Sequence, residues 1–222
     1  MGSKLQSMAR TVQDGQAGRL IRQRWSSELV SYGLRRDLSV PFVAPQANFP
    51  ISLRPISDAD LPKILNPDLP GISGETREEI VTRRQMLDAG ITACYVAVTA
   101  EDVPCYVQWI IGPKLNGLMQ SYFHGLYPVL RSDEALLEGA FTPEAFRGQR
   151  LMPAAMAQLA EKGAELGARY VITFVTHDNI PSLKGCKRSG FYPHLKRVAR
   201  WDMFRRRITF TPLPEGTPYP FD

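Results

Sequence analysis

Cysteine is scarce in this sequence: three residues in 222, none in a Cys-x-x-Cys pair. That spacing excludes a disulfide framework and gives no support to a structural zinc site, so no metal is expected. Cys94 and Cys105 read as buried, reduced thiols. Long apolar runs are missing too. No stretch reaches the roughly 18–20 residues a membrane-spanning helix needs, and the first 30 residues lack a secretory hydrophobic core. No membrane span and a cytoplasmic location are the expectations. Neither GxGxxG nor GxxxxGK[ST] occurs, which removes the two common nucleotide-binding loops. Acidic residues are outnumbered by basic ones, 22 to 27, for a formal charge of +5. Clusters at Arg19, Arg22 and Arg24 and at Arg205, Arg206 and Arg207 contribute to it. They read as a solvated basic face, and nucleic acid is disfavoured as a partner.

What is present is an ordinary globular composition, 44% hydrophobic and 22% charged, enough for a sizeable core. Three regions are expected: an N-terminal extension over 1–48, a main domain over 49–211 and a Pro-rich tail over 212–222. In the extension, Leu20, Ile21, Trp25, Leu29 and Tyr32 recur at near-helical spacing. They predict a short amphipathic helix within Gly18–Tyr32, docked on the main domain or on a second subunit. From Phe49 onward strands and helices alternate. Ile51 and Leu53 suggest a strand, Ser57 an N-cap for a short helix to about Leu65, and Glu75–Asp88 a longer helix stopped at Gly90. Ile91–Thr99 and Cys105–Ile111 form an antiparallel pair, and Gly112–Asp133 reads as a long loop with a partial helix around Leu118–Leu130. Then come a strand (Ala135–Thr142), a helix (Pro153–Leu166), a strand buried on both faces (Tyr170–Val175), a helix (Pro181–Ser189) and two β segments (Phe191–Val198 and Trp201–Thr211). Strand, helix, strand at Ala135–Val175 implies a parallel βαβ crossover.

The chemistry-bearing segment is Leu137-Glu-Gly-Ala-Phe-Thr-Pro-Glu-Ala-Phe-Arg-Gly-Gln-Arg-Leu-Met152. It sets an Arg-Gly turn between a strand end and a helix start. The unpaired amides of a helix's first turn favour a diphosphate, and Gly148 lets the backbone approach closely. Further on, Thr-His-Asp-Asn179 follows the buried strand, and Asn179-Ile-Pro-Ser-Leu-Lys-Gly-Cys-Lys-Arg-Ser-Gly-Phe191 comes next. In these two motifs, their order and their intervening elements, the sequence resembles the GNAT (general-control-related N-acetyltransferase) superfamily. The resemblance covers about residues 49–211 in element order.

The resemblance implies an α/β fold with a mixed sheet, two of whose strands (Ala135–Thr142 and Tyr170–Val175) splay to admit a pantetheine arm. It implies acetyl-CoA, or another acyl-CoA, as co-substrate. Backbone near Phe141 and Thr142 would bind pantetheine and the reacting carbonyl. Arg147, Gly148, Gln149, Arg150, Leu151 and Met152 would wrap the pyrophosphate, and Asn179 with Ser182 would meet the pantetheine side. Arg150 and Met152 depart from the pattern, standing where the family has small residues. Cys186 stands where many relatives carry the Tyr that protonates the leaving thiolate. Glu138 is the first candidate base and Glu134, on the same strand face, the second. His177 is a third and His124 a lower one. Each Glu reads equally as a strand carboxylate in a salt bridge, and His194 as structural. The acceptor, a primary amine of a small molecule or peptide, is expected against the first two helices and the 112–133 loop. There Trp109, Tyr122, Phe123 and Tyr127 are either pocket or core. The sequence also allows a homodimer. Two other functions stay open: an N-acyl amino acid synthase-like enzyme using acyl carrier protein, and a degenerate, non-catalytic domain.

Overall fold

Strand β4 (Pro104–Ile111) is buried at all eight positions, which demands cover on both faces of the sheet that holds it. A computed structural model describes residues 25–222. In it β1 (Ser26–Asp37), β2 (Ser52–Pro55), β3 (Cys94–Val98), β4, β5 (Glu134–Phe141), β6 (Tyr170–Thr176), β7 (Tyr192–Asp202) and β8 (Arg205–Pro212) form one sheet. Its order is β2-β3-β4-β5-β6-β1-β7-β8. The helices are α1 (Leu61–Ile64), α2 (Gly74–Asp88), α3 (Asn116–Tyr122), α4 (Leu151–Glu161) and α5 (Ile180–Arg188). Only β5 and β6 run parallel, joined by the α4 crossover; the other neighbours are antiparallel.

Alternation along β5 assigns the two cores. Leu136 joins Trp109 and Ile172 beneath Leu65, Ile80, Met86 and Met119 of the α1–α3 side. Leu137 joins Ile110 and Val171 beneath Met156, Leu159 and Leu183 of α4 and α5. Helix α2 starts where Ser73 Oγ accepts the Thr76 amide at 3.2 Å and stops before Gly90, at φ +88°, the stop that the sequence predicts. Pro153 falls in the first turn of α4, where no amide is needed.

Three expectations require correction. The helix predicted within Gly18–Tyr32 is, from Ser26 on, strand β1; its earlier part and the Arg19, Arg22 and Arg24 cluster lie outside the described residues. On a helix Trp25 and Leu29 would share the packed stripe, yet they are 56% and 44% exposed, while Ser31, Leu34 and Arg36 are buried. Pairing along both edges, with β6 and with β7, overrides the local spacing. Ser57 is not a cap: α1 begins after Asp60, whose carboxylate accepts the Ser57 amide and hydroxyl at 2.8 and 2.7 Å. In the long loop the helix ends at Tyr122. The remainder is fastened by Asn116, whose side chain bonds both the amide and the carbonyl of Leu130 at 2.9 Å.

Candidate functional site

Strands β5 and β6 begin together and then part. Pairing runs from Glu134↔Tyr170 to Leu136↔Ile172 and stops there, although both strands continue for several residues. The divergence coincides with a bulge on the other edge of β5. Trp109 of β4 faces Glu138 and Val107 faces Phe141, so three steps on β5 oppose two on β4. Gly139 supplies it with φ +68°, and a Cβ there would lie 2.8 Å from the Trp109 ring. The extra residue also shifts parity: Glu138 is on the Leu136 face, and Phe141 returns to that face through the bulge.

Beyond the bulge the chain passes Pro143 and enters the turn that begins α4. Gly148 has φ +79° and open space around it, and Arg150, also left-handed at φ +58°, is the residue before the helix. Arg150 thus takes up a conformation that favours glycine, which is the physical content of its departure from the family pattern. The first amides of α4 have no intrahelical acceptors and carry the positive end of its dipole. They open on a cleft of about 650 Å³ lined by Phe141, Thr142, Arg147, Gly148, Arg150, Leu151, Met152, Asn179 and Ser182, and also by Tyr106, Glu75, Glu79 and Arg188. Gln149 does not line it: its carbonyl accepts the Asn48 amide at 3.0 Å and its side chain the Asn48 side-chain amide at 3.1 Å. The Arg147 side chain leans toward α2. It donates to Thr142 O at 3.1 Å and reaches Glu79 at 3.3 Å and Thr76 Oγ1 at 3.4 Å. Asn179 caps α5, its Oδ1 accepting the Ser182 amide at 3.1 Å.

A second cavity of about 250 Å³ lies in the slot between β5 and β6, lined by Arg83, Gln108, Glu138, Gly139, Thr173, Phe174 and Cys186 among others. Ala140, Met152, Asn179 and Ser182 line both spaces, so the two adjoin, and the passage they outline leads from the helix start toward the sheet interior. Glu138 is half-buried at the slot, and desolvation raises its carboxyl above the usual range. The Tyr127 hydroxyl, the Gly139 amide and the cations Arg83 and Arg197 pull the other way without cancelling that. Arg197 is itself buried, donating to Leu126 O at 3.1 Å and Ser31 Oγ at 2.9 Å and stacked 4.8 Å over Phe174.

The remaining candidates fare differently. Glu134 sits at the closed end of the strand pair, accepting the Arg131 amide at 3.0 Å and pairing with its guanidinium at 3.1 Å. It is the salt-bridged strand carboxylate, four residues or roughly 13 Å along the strand from Glu138. His177 is exposed, lines neither space and is tied to Val30 O of β1 through its amide at 3.1 Å. Exposed His124 and half-buried His194, 3.3 Å from Arg35, are also outside the passage. Cys186 does face the slot, but burial pushes its thiol up to about 12. Proton donation to a departing thiolate of ordinary pKa near ~8.5 is then strongly uphill, which speaks against the acid role. Trp109, Tyr122, Phe123 and Tyr127 belong to the core: Trp109 is fully buried with its indole donating to Ile91 O at 2.8 Å. Arg83, Tyr106, Gln108 and Arg188 line the passage and were not singled out from sequence. For Arg83 a signal existed, since Thr76, Ile80, Arg83 and Leu87 recur at 4-3-4 spacing on the inward stripe of α2. Among the described residues no three of His, Cys, Asp and Glu gather as metal ligands would, and no helix is long and apolar enough to cross a membrane.

The sequence matches the Acetyltransferase (GNAT) family over residues 64–191. No curated protein matches by sequence. Among solved structures, an acetyltransferase of the GNAT family from Colwellia psychrerythraea superposes with TM-score 0.52 at 12% identity, over 85% of this chain and 61% of that one. The glucosamine N-acetyltransferase region of a fungal multi-domain GH3 β-N-acetylglucosaminidase superposes with TM-score 0.52 at 11% identity, over 90% of this chain and 23% of that one. The chain therefore spans about three fifths of the first and under a quarter of the second, and at these identities the likeness is one of fold. The match over residues 64–191 contains the diverging strands, the turn before α4 and the Asn179 cap, and by it this chain belongs to the GNAT acetyltransferase family.

Proposed function

We propose that the protein transfers an acyl group from acyl-coenzyme A to a primary amine, with Glu138 as the base. The observation that carries this is the pair of adjoining spaces that leads from the first turn of α4 to the Glu138 carboxylate. A diphosphate at the free amides of α4 lets a pantetheine arm run past Met152, Asn179 and Ser182 into the slot, so that its thioester meets β5 near the bulge. There the amine nitrogen attacks the thioester carbon and passes a proton to Glu138. A C–N bond forms, the C–S bond breaks, and the sulfur leaves with the electron pair. A base whose pKa is raised by burial is better matched to this proton than an ordinary carboxylate. The leaving thiolate, of ordinary pKa near ~8.5, departs without needing Cys186 as acid.

Titration with coenzyme A tests the reading. At a hundredfold excess over Kd, a ligand of the folded state adds about 2.7 kcal/mol, which for a chain of this size raises Tm by about 5–10 °C. No rise with coenzyme A, but a rise with a phosphopantetheinylated carrier protein, would redirect the donor to the carrier.

Glu75 and Glu79 bring negative charge to the cleft that would hold the diphosphate, and Glu79 also holds Arg147 at 3.3 Å. Glu79→Gln removes one repulsion and frees the arginine. Charges at half-exposed sites are worth about 0.5–1 kcal/mol, so calorimetric titration should show coenzyme A bound about two- to fivefold more tightly. Weaker binding would mean that the Glu79–Arg147 contact shapes the cleft instead of competing for it.

A further inference from the structure

We propose that Arg83 is a positioning residue for acyl transfer, fixing the two peptide planes of the β5 bulge against which the thioester carbonyl lies. This rests on the acyl-coenzyme A reading above.

The backbone raises the need. Past Leu136, β5 has no partner on its β6 edge, and the bulge removes regular pairing on its β4 edge. Buried carbonyls at such a point require another donor. Arg83 provides it from α2: Nε donates to Gly139 O at 3.0 Å and Nη2 to Ala140 O at 2.7 Å. The third arm, Nη1, donates to Glu79 O at 2.8 Å and ties the guanidinium to its own helix, while the plane lies 5.3 Å over the Phe141 ring. A planar fork with fixed donor directions holds two successive carbonyls at once; a lysine ammonium, a single point, does not.

Peptides are planar and trans, so a carbonyl that is held fixes the N–H of the same peptide pointing the opposite way. With the Gly139 and Ala140 carbonyls turned to Arg83, the Ala140 and Phe141 amides are set in direction. Glu138 is one residue before Gly139 on the same stretch of β5. Donors fixed before the reaction polarise an acyl carbonyl without reorganising as charge develops. Arg83 itself lines the slot beside Glu138, yet its donors to the bulge are spent on backbone, so it acts through the peptides and not on the substrate.

The test uses the full chain with acetyl-coenzyme A carrying ¹³C at the acetyl carbonyl. The unchanged protein is expected to move the carbonyl resonance downfield of the free thioester. Arg83→Met should return it to the free position at saturation while the Kd for coenzyme A, from calorimetry, changes by less than about threefold. Arg83→Lys, which keeps a cation in the same burial, should fall between the two and carries the test should Arg83→Met fail to fold. Full downfield displacement in either variant overturns the proposal. So does a carbonyl left at its free position by the unchanged protein when coenzyme A binds, in which case the coenzyme A reading stands alone. If the unchanged protein binds no coenzyme A, both fall.

Discussion

Glu138→Gln is expected to lower the rate of acetyl transfer by about 10²–10⁴-fold, the range a positioned general base contributes, with little change in the affinity for acetyl-coenzyme A. The comparison uses whichever amine, from a broad panel, the unchanged protein acetylates, and reads released thiol. The pH profile sharpens it. A base at this position must act as the carboxylate, and burial holds the Glu138 pKa above the ordinary value; on the proposed role the acid limb of kcat/KM should therefore fall at a higher pH than an exposed glutamate gives, and the Gln variant should lose that limb. Stability should move in the opposite sense. A carboxyl whose folded pKa is raised binds more protons in the folded than in the unfolded chain, so its contribution falls as pH climbs from the unfolded value near ~4.3 through the folded one. At neutral pH Glu138→Gln should be the more stable protein in urea titration, with the difference shrinking below pH ~4. A Gln variant that is slower and also less stable at pH 7 would identify Glu138 as a structural counter-ion to Arg83 and Arg197, and would sink the base assignment.

The contrast between Glu134 and Glu138 shows what the sequence could and could not tell. Both lie on one face of one strand, a fact of period two that is legible from spacing. Which of them faces the passage depends on where β6 leaves β5 and on the bulge at Gly139, and these are relations between segments some 35 residues apart in the chain. The turn before α4 was legible for the opposite reason: Gly148, Pro153 and the Asn179 cap are local signals, set by backbone chemistry within a few residues. Arg83 lay between the two cases. Its helical spacing points inward, but a buried arginine makes sense only once carbonyls that need it are in view, and those belong to β5. The same holds for Arg197, whose Nη2 crosses to Ser31 of β1.

Strand β1 is the element local reading got wrong, and it is expected to be indispensable. It separates β6 from β7, pairing with β6 from Ser31↔Thr176 to Asp37↔Tyr170 and with β7 from Ser26↔Asp202 to Arg35↔Tyr192. Its polar residues hid it. Arg36 is 3% exposed, yet its Nη1 donates to Ala157 O at 3.0 Å, its Nη2 pairs with Glu161 and its plane lies 4.6 Å over Phe42; each of these partners comes from elsewhere in the chain. A chain beginning at Leu38 loses Leu34 from the α4–α5 core and strips a hydrogen-bonding edge from both β6 and β7. At a net ~1 kcal/mol per backbone bond along two strand edges, plus ~2–5 kcal/mol for the leucine, the loss is comparable with the ~5–15 kcal/mol that holds a domain of this size together. The truncated chain should show no cooperative melt, and a synthetic peptide of residues 25–38 added in trans should restore one, because folding with the peptide regains the pairing to both β6 and β7. Should the truncated chain melt cooperatively on its own, β6 and β7 must be able to close on each other, and β1 would be an insertion into a sheet already complete without it.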